Sequence, residues 1–203
     1  ANNKIITTTQ DEEETVEPTE EELQTWSTKI WDFLDHTYET MRLTPVWQHD
    51  TQQQFDITKQ HTEKFIFLKL YPVLFASDYE DQVLNEKLYE RIESLNFLTA
   101  EHLEIKCVRN LYEQYMKKNN LPIKEYLQAS DYNFLNEILE HPIYYLHQIE
   151  NFKTPHEKLL SIKRCTMAIA SILKTCHSDN SLPGADELVP MMIYTIKTTN
   201  PCN

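Results

Sequence analysis

The amino-acid sequence predicts an all-helical protein, and three observations carry that prediction. Large apolar residues recur at three- and four-residue steps along most of the chain after Pro18, which places them on one face of successive α-helices. The breaks between these segments hold residues that start or stop helices, among them Asn119 to Pro122 and Thr154-Pro155. Nothing alternates with period two over a useful length, so no strand is expected. With 203 residues the chain suffices for one compact domain, or one domain with a small helical appendage.

Residues 1–18 are polar, with acids at Asp11, Glu12, Glu13 and Glu14, and hold too little apolar surface to offset the entropy of ordering. They are expected to be a disordered tail. Thr19 followed by Glu20, Glu21 and Glu22 reads as a helix start, with a hydroxyl to cap and acids to suit the helix dipole. Leu23, Trp26, Ile30, Phe33, Leu34, Tyr38 and Met41 then form one stripe that ends near Pro45. A second helix is expected from about Gln52 through Phe55 and Phe65 toward Tyr71-Pro72. After a break at Ser77-Asp78, Val83, Leu84, Leu88, Ile92 and Leu95 outline a third, and Thr99 to His102 resembles the cap and first turn of a short fourth. Further helical segments are expected at Val108 to Met116, Ile123 to Leu127, Phe134 to Leu139 and Ile143 to Ile149, the last set off by a break at His141-Pro142. Thr154-Pro155-His156-Glu157 opens a long helix with proline in its first turn, where no N–H is needed.

Composition excludes several functions. A formal net charge of -13 argues against nucleic acid or an anionic membrane as the direct partner, since both are bound chiefly through lysine and arginine. Gly184 is the single glycine, so no phosphate-cradling loop can be drawn. Cys107, Cys165, Cys176 and Cys202 show no zinc-ligand spacing and read as reduced thiols; Cys165 and Cys176 could share a buried helix face. No metal and no cofactor is expected. No apolar run approaches the roughly 20 residues needed to span a bilayer, and no signal peptide is seen. Eight scattered histidines form no His-Glu-x-x-His or nucleophile elbow, which makes a hydrolase a poor reading.

The most informative stretch runs from Gly184 to Pro201. Read locally, Asp186 caps a helix from Leu188 to Ile196 that is apolar almost all round and is expected to be buried on several sides, with Pro190 near its start or at a kink. Tyr194 and the methionines are core by default. Other segments accompany it in order: Phe65 to Phe75, Leu88 to Leu95, Thr99 to Ile105 with His102-Leu103, Pro155-His156-Glu157-Lys158-Leu159, Gly184-Ala185-Asp186-Glu187, Ile193-Tyr194 and Asn200-Pro201.

Taken together from about Phe55 to Asn203, these pieces resemble the vacuolar-protein-sorting-nine domain of guanine-nucleotide exchange factors. The resemblance implies a helical domain over residues 55–203, supported by an amino-terminal helical segment over residues 19–54. It implies release of GDP from Rab GTPases of the early-endosomal group, with Asp186 as an acidic finger that enters the vacated magnesium region and pairs with a GTPase lysine. Pro190 and Tyr194 would shape an apolar groove for the GTPase switch regions, and Asn200 would fix the turn behind them; the plain alternative is that Tyr194 and Asn200 pack and cap the helix. The protein would be a cytoplasmic monomer, recruited peripherally to endosomal membranes. It would catalyse nucleotide exchange without covalent chemistry. The competing function is an inactive helical scaffold that binds a small GTPase. Two departures from the family pattern stand out: the stretch from Val108 to Leu139 lengthens the chain and is expected to be an added surface hairpin, and the domain is expected to lack its carboxy-terminal part, in which a tyrosine assists the acid.

Overall fold

The computed structural model describes residues 20–75, 79–127, 129–177 and 181–201. The expected tail, the Thr19 cap, the Ser77-Asp78 break, Cys202 and Asn203 lie outside them. In chain order the helices are α1 (Glu20–Leu43), α2 (Gln52–Leu74), α3 (Tyr79–Ser94), α4 (Val108–Lys118), α5 (Phe134–Ile138), α6 (Glu140–Asn151), α7 (Pro155–Lys174) and α8 (Ala185–Thr199), with a 3-10 turn at Ala129–Asn133 before α5. Among the described residues there is no strand, so the all-helical expectation is met.

α1 and α2 form a helical hairpin. The turn before Pro45 and Trp47 closes α1, and Thr51 opens α2 with a capping box: its hydroxyl accepts from Gln54 N–H while the Gln54 side chain accepts from Thr51 N–H. Ile30, Leu34, Met41 and Phe55 are buried within this pair, and the Arg42 guanidinium lies 4.3 Å from the Phe55 ring centre. α2 continues past Pro72 to Leu74. Where the hairpin meets the start of α7, Ile30, Trp31, Phe67, Tyr71, Pro155 and Lys158 line a largely apolar cavity of about 470 Å³. An ion pair from Lys64 to Glu157, 2.6 Å long, spans the same seam.

The main core lies further along the chain. α6 and α7 are the most closely packed helices, α8 crosses both, and Leu111, Tyr112, Phe134, Leu135, Leu139, Leu146, Cys165, Ile169, Leu173 and Met191 fill the space between them. The stretch from Val108 to Leu139 is therefore no surface hairpin. It supplies α4 and α5 and six buried residues, Val108, Leu111, Tyr112, Phe134, Leu135 and Leu139, because its apolar spacing closes the open side of the α6–α7 pair.

Four local expectations are corrected. Thr99 to Glu104 is a run of turns rather than a helix, ended by Glu104 in the left-handed region at φ 52°. Ile123 to Leu127 is not helical, because the Arg109 guanidinium takes the Lys124 and Glu125 carbonyls at 2.9 and 3.0 Å and so replaces a helical ladder. His141-Pro142 is no break: Pro142 is the third residue of α6, where its missing N–H has no partner to lose. Cys165 and Cys176 do not share a helix face, since α7 ends at Lys174. The Thr154-Pro155 start is as expected, with the Thr154 hydroxyl accepting from Glu157 N–H at 3.3 Å.

α3 buries no residue, and hydrogen bonds from the end of α8 reach it and the turn that follows it. Lys197 of α8 donates to the Leu98 carbonyl at 3.0 Å, and Asn200 donates through Nδ2 to the Tyr89 carbonyl at 3.3 Å.

Candidate functional site

The amino-terminal end of α8 is where charge, exposure and apolar surface meet. Gly184 stands at the N-cap with ordinary extended backbone, φ -76°. Asp186 is therefore not the cap but the second helical residue, and Glu187, the third, accepts the Gly184 N–H on its carboxylate at 3.2 Å. Glycine is needed here for room rather than for its dihedral freedom. A Cβ at Gly184 would lie 2.5 Å from Asp186 Oδ1, so any other residue would push the carboxylate from its place.

The Asp186 side chain is 66% exposed, and its Oδ2 accepts from Lys106 Nζ at 2.7 Å. That ammonium, through the hydrogen bond first and its charge second, holds the Asp186 carboxyl below the usual aspartate range and is itself held above the usual lysine range. Lys106 lies between Ile105 and Cys107, both buried, so its backbone is anchored while its side chain reaches outward. Beyond Asp186, Val189, Pro190 and Ile193 follow at the three-, four- and seven-residue steps that define one helix face. Val189 and Ile193 are 52% and 44% exposed. α8 is thus not buried on several sides as its composition suggested: Met191, Tyr194, Thr195 and Thr199 point into the core, and the opposite flank is open. Pro190, lacking an N–H, also leaves the Asp186 carbonyl without its helical donor.

The carboxylate end is clamped by its neighbours. His177 Nε2 lies 3.1 Å from Glu187 Oε2, and Cys176, adjoining His177 after the end of α7, interacts with Cys107, adjoining Lys106, while its Sγ lies 3.9 Å from the Ile172 carbonyl. The neighbouring Cys107 thiol brings the Cys176 pKa down to about 7, whereas that neighbour and burial push Cys107 upward.

Tyr194 and Asn200 are placed elsewhere. Tyr194 is buried, its hydroxyl donates to Asn136 Oδ1 at 3.3 Å, and burial raises its pKa. Asn200 ends α8 in the left-handed conformation at φ 39°, where asparagine is favoured among non-glycine residues. Its N–H donates to the Ile196 carbonyl at 2.7 Å, and its buried Oδ1 has no hydrogen-bond partner among the described residues. Fourteen residues of helix, about 21 Å, separate it from Asp186. Asp186 and Pro190 are brought to one face; Tyr194 and Asn200 are not on it. Sequence reasoning missed Lys106, which is distant in the chain, and Val189 and Ile193, whose spacing from Asp186 could have revealed them.

Among the described residues no group of three or more metal-binding side chains comes together, and no helix is long and apolar enough to cross a membrane.

Comparison with known proteins falls on the same helices. The model of the vacuolar sorting protein 9 (VPS9) domain matches residues 139–203, which contain α6, α7, α8 and Asp186. Vacuolar protein sorting-associated protein 9A of Arabidopsis thaliana is 26% identical over 174 residues, covering 85% of this chain and 29% of that protein. GTPase-activating protein and VPS9 domain-containing protein 1 of Homo sapiens is 24% identical over 175 residues, 85% of this chain and 10% of that protein. Receptor-mediated endocytosis protein 6 homolog of Drosophila pseudoobscura pseudoobscura is 36% identical over 78 residues, 38% of this chain and 4% of that protein. The chain spans a third or less of the length of the curated relatives it matches. By that match, and by relatives that bear the domain's name, residues 139–203 of this helical chain resemble the VPS9 domain family.

Proposed function

We propose that this chain promotes release of GDP from a small GTPase of the early-endosomal Rab group, with Asp186 as its acidic finger. The observation that carries the reading is the position of Asp186: an ionised, exposed carboxylate at the head of an open apolar face formed by Val189, Pro190 and Ile193. A GTPase holds its nucleotide through a phosphate-loop lysine and a magnesium ion. A carboxylate presented on a firm helix end can compete for that lysine, while the apolar face receives the mobile segments beside it. By linkage, a protein that prefers the nucleotide-free GTPase lowers its nucleotide affinity by the same factor. The names of the relatives, with vacuolar sorting, GTPase and endocytosis among them, support a trafficking role. In this reading residues 55–203 form the exchange domain, residues 19–54 brace it, and the protein is a cytoplasmic monomer recruited peripherally to endosomal membranes.

Asp186→Asn in the natural full-length protein is the test. The side chain is exposed and does not cap the helix, so the thermal midpoint should stay near the parental value, whereas the charge-assisted bond to the GTPase lysine is lost. GDP release from an early-endosomal Rab should fall by about tenfold or more. A folded variant that exchanges nucleotide at the parental rate would sink the acidic finger. The second reading, an inactive scaffold, draws on Tyr194 being turned into the core instead of toward the open face. Equal affinity for the GDP-bound and nucleotide-free forms would favour it.

A further inference from the structure

We propose that Lys106 is a placeholder for the partner's lysine, occupying in the free protein the position beside Asp186 that the GTPase ammonium takes on docking. The inference rests on the exchange reading above and adds to it a residue that sets how readily Asp186 is delivered. Its ground is the geometry of the ion pair. Lys106 comes from a turn remote in sequence, with Ile105 and Cys107 buried on either side, and Ile105 N–H bonded to the Ala100 carbonyl at 3.1 Å. This frame directs the ammonium onto Asp186 Oδ2 at 2.7 Å, while Oδ1 sits over Gly184, where the missing Cβ leaves space. Both side chains are 66% exposed, so the pair is weak and its lysine stem can swing away at small cost.

An arriving ammonium and Lys106 are like charges competing for one carboxylate. They repel at contact distance, so docking requires Lys106 to yield. Until then Lys106 holds the Asp186 carboxylate on the face where it is used. Lys106 is thus a positioning residue, and removing it should help binding rather than harm it. That sign separates the proposal from a merely structural ion pair, whose loss would leave affinity unchanged or reduce it.

The experiment is a double-mutant cycle in the full-length protein, read as affinity for a nucleotide-free early-endosomal Rab, with exchange rate and thermal midpoint measured alongside. Lys106→Gln should bind about two- to fivefold more tightly, the range set by an exposed ion pair, and Lys106→Arg should behave as the parent. In the Asp186→Asn background, Lys106→Gln should change affinity by less than that, because there is no carboxylate left to release. An equal gain in both backgrounds would mean general charge steering and overturn the proposal. Unchanged or weaker binding of Lys106→Gln alone would also overturn it and leave the role of Asp186 intact. Parental exchange by Asp186→Asn would instead remove the acidic-finger role of Asp186, and this inference with it.

Discussion

Gly184 shows how a single residue can matter for what it lacks. Its backbone is ordinary, so alanine would cost little in dihedral strain, and a helix cap without a side-chain bond loses about 1 kcal/mol or less on such a change. The added Cβ would nevertheless displace the Asp186 carboxylate, whose Oδ1 it would approach to 2.5 Å. Gly184→Ala is expected to fold with a near-parental thermal midpoint and to lose exchange activity severalfold; a variant equally active would show that the carboxylate's place is not critical. The cysteines allow a second test at this scale. Cys176 is half-buried with its pKa brought down to about 7 by the Cys107 thiol, whereas burial takes Cys165 up to about 11. Iodoacetamide near neutral pH should therefore alkylate Cys176 well before Cys165, as peptide mass mapping would show. Equal labelling of the two would contradict this difference in thiol acidity.

Between elements, the seam joining α2 to α7 is tied by polar groups more than by core. Glu157 accepts from Lys64 at 2.6 Å and from the Thr154 hydroxyl at 2.8 Å, and these bonds, Lys64 first, hold its pKa below the usual glutamate range. A carboxylate whose pKa is depressed on folding stabilises the protein above its unfolded pKa, and that contribution fades as pH falls through the lower folded value. Glu157→Gln should thus cost about 1 kcal/mol or less near pH 7, since Lys64 is half exposed. The parent and the variant should begin to converge in stability as pH falls below about 4.3, the unfolded glutamate value, and meet once it has passed the lower folded value. Denaturant melts at neutral and acid pH would check this, and a deficit that persisted undiminished in acid would show that lost packing, not charge, is the cause.

At the scale of the molecule, stability is distributed unevenly. α6, α7 and α8 enclose the main core with α4 and α5, while α3 buries nothing and α1 and α2 share a separate small cluster. Amide hydrogen exchange should be slowest around Cys165, Ile169 and Met191 and fastest in α3, with the α1–α2 hairpin between them. Protection of α3 equal to that of α7 would contradict this ranking. Asp186 stands at the exposed head of α8, whose later turns are anchored in the main core by Met191, Tyr194 and Thr195. Most of the helices were legible in the sequence, because spacing, caps and first-turn prolines act within one or two turns of chain, as Thr154 and Pro155 do here; Thr99 to Glu104 and Ile123 to Leu127, expected as short helical segments, are the exceptions. The acid at the head of α8 was legible for the same reason, together with the order of the family's motifs. What the tertiary structure alone decided was which side each helix shows: that Val108 to Leu139 closes the core, that Val189 and Ile193 stay open while Tyr194 turns inward, and that Lys106 reaches Asp186 across 80 residues of chain. An apolar stripe says that a face will be buried, but not against what, and a charge finds its partner through the packing of helices that no local pattern records.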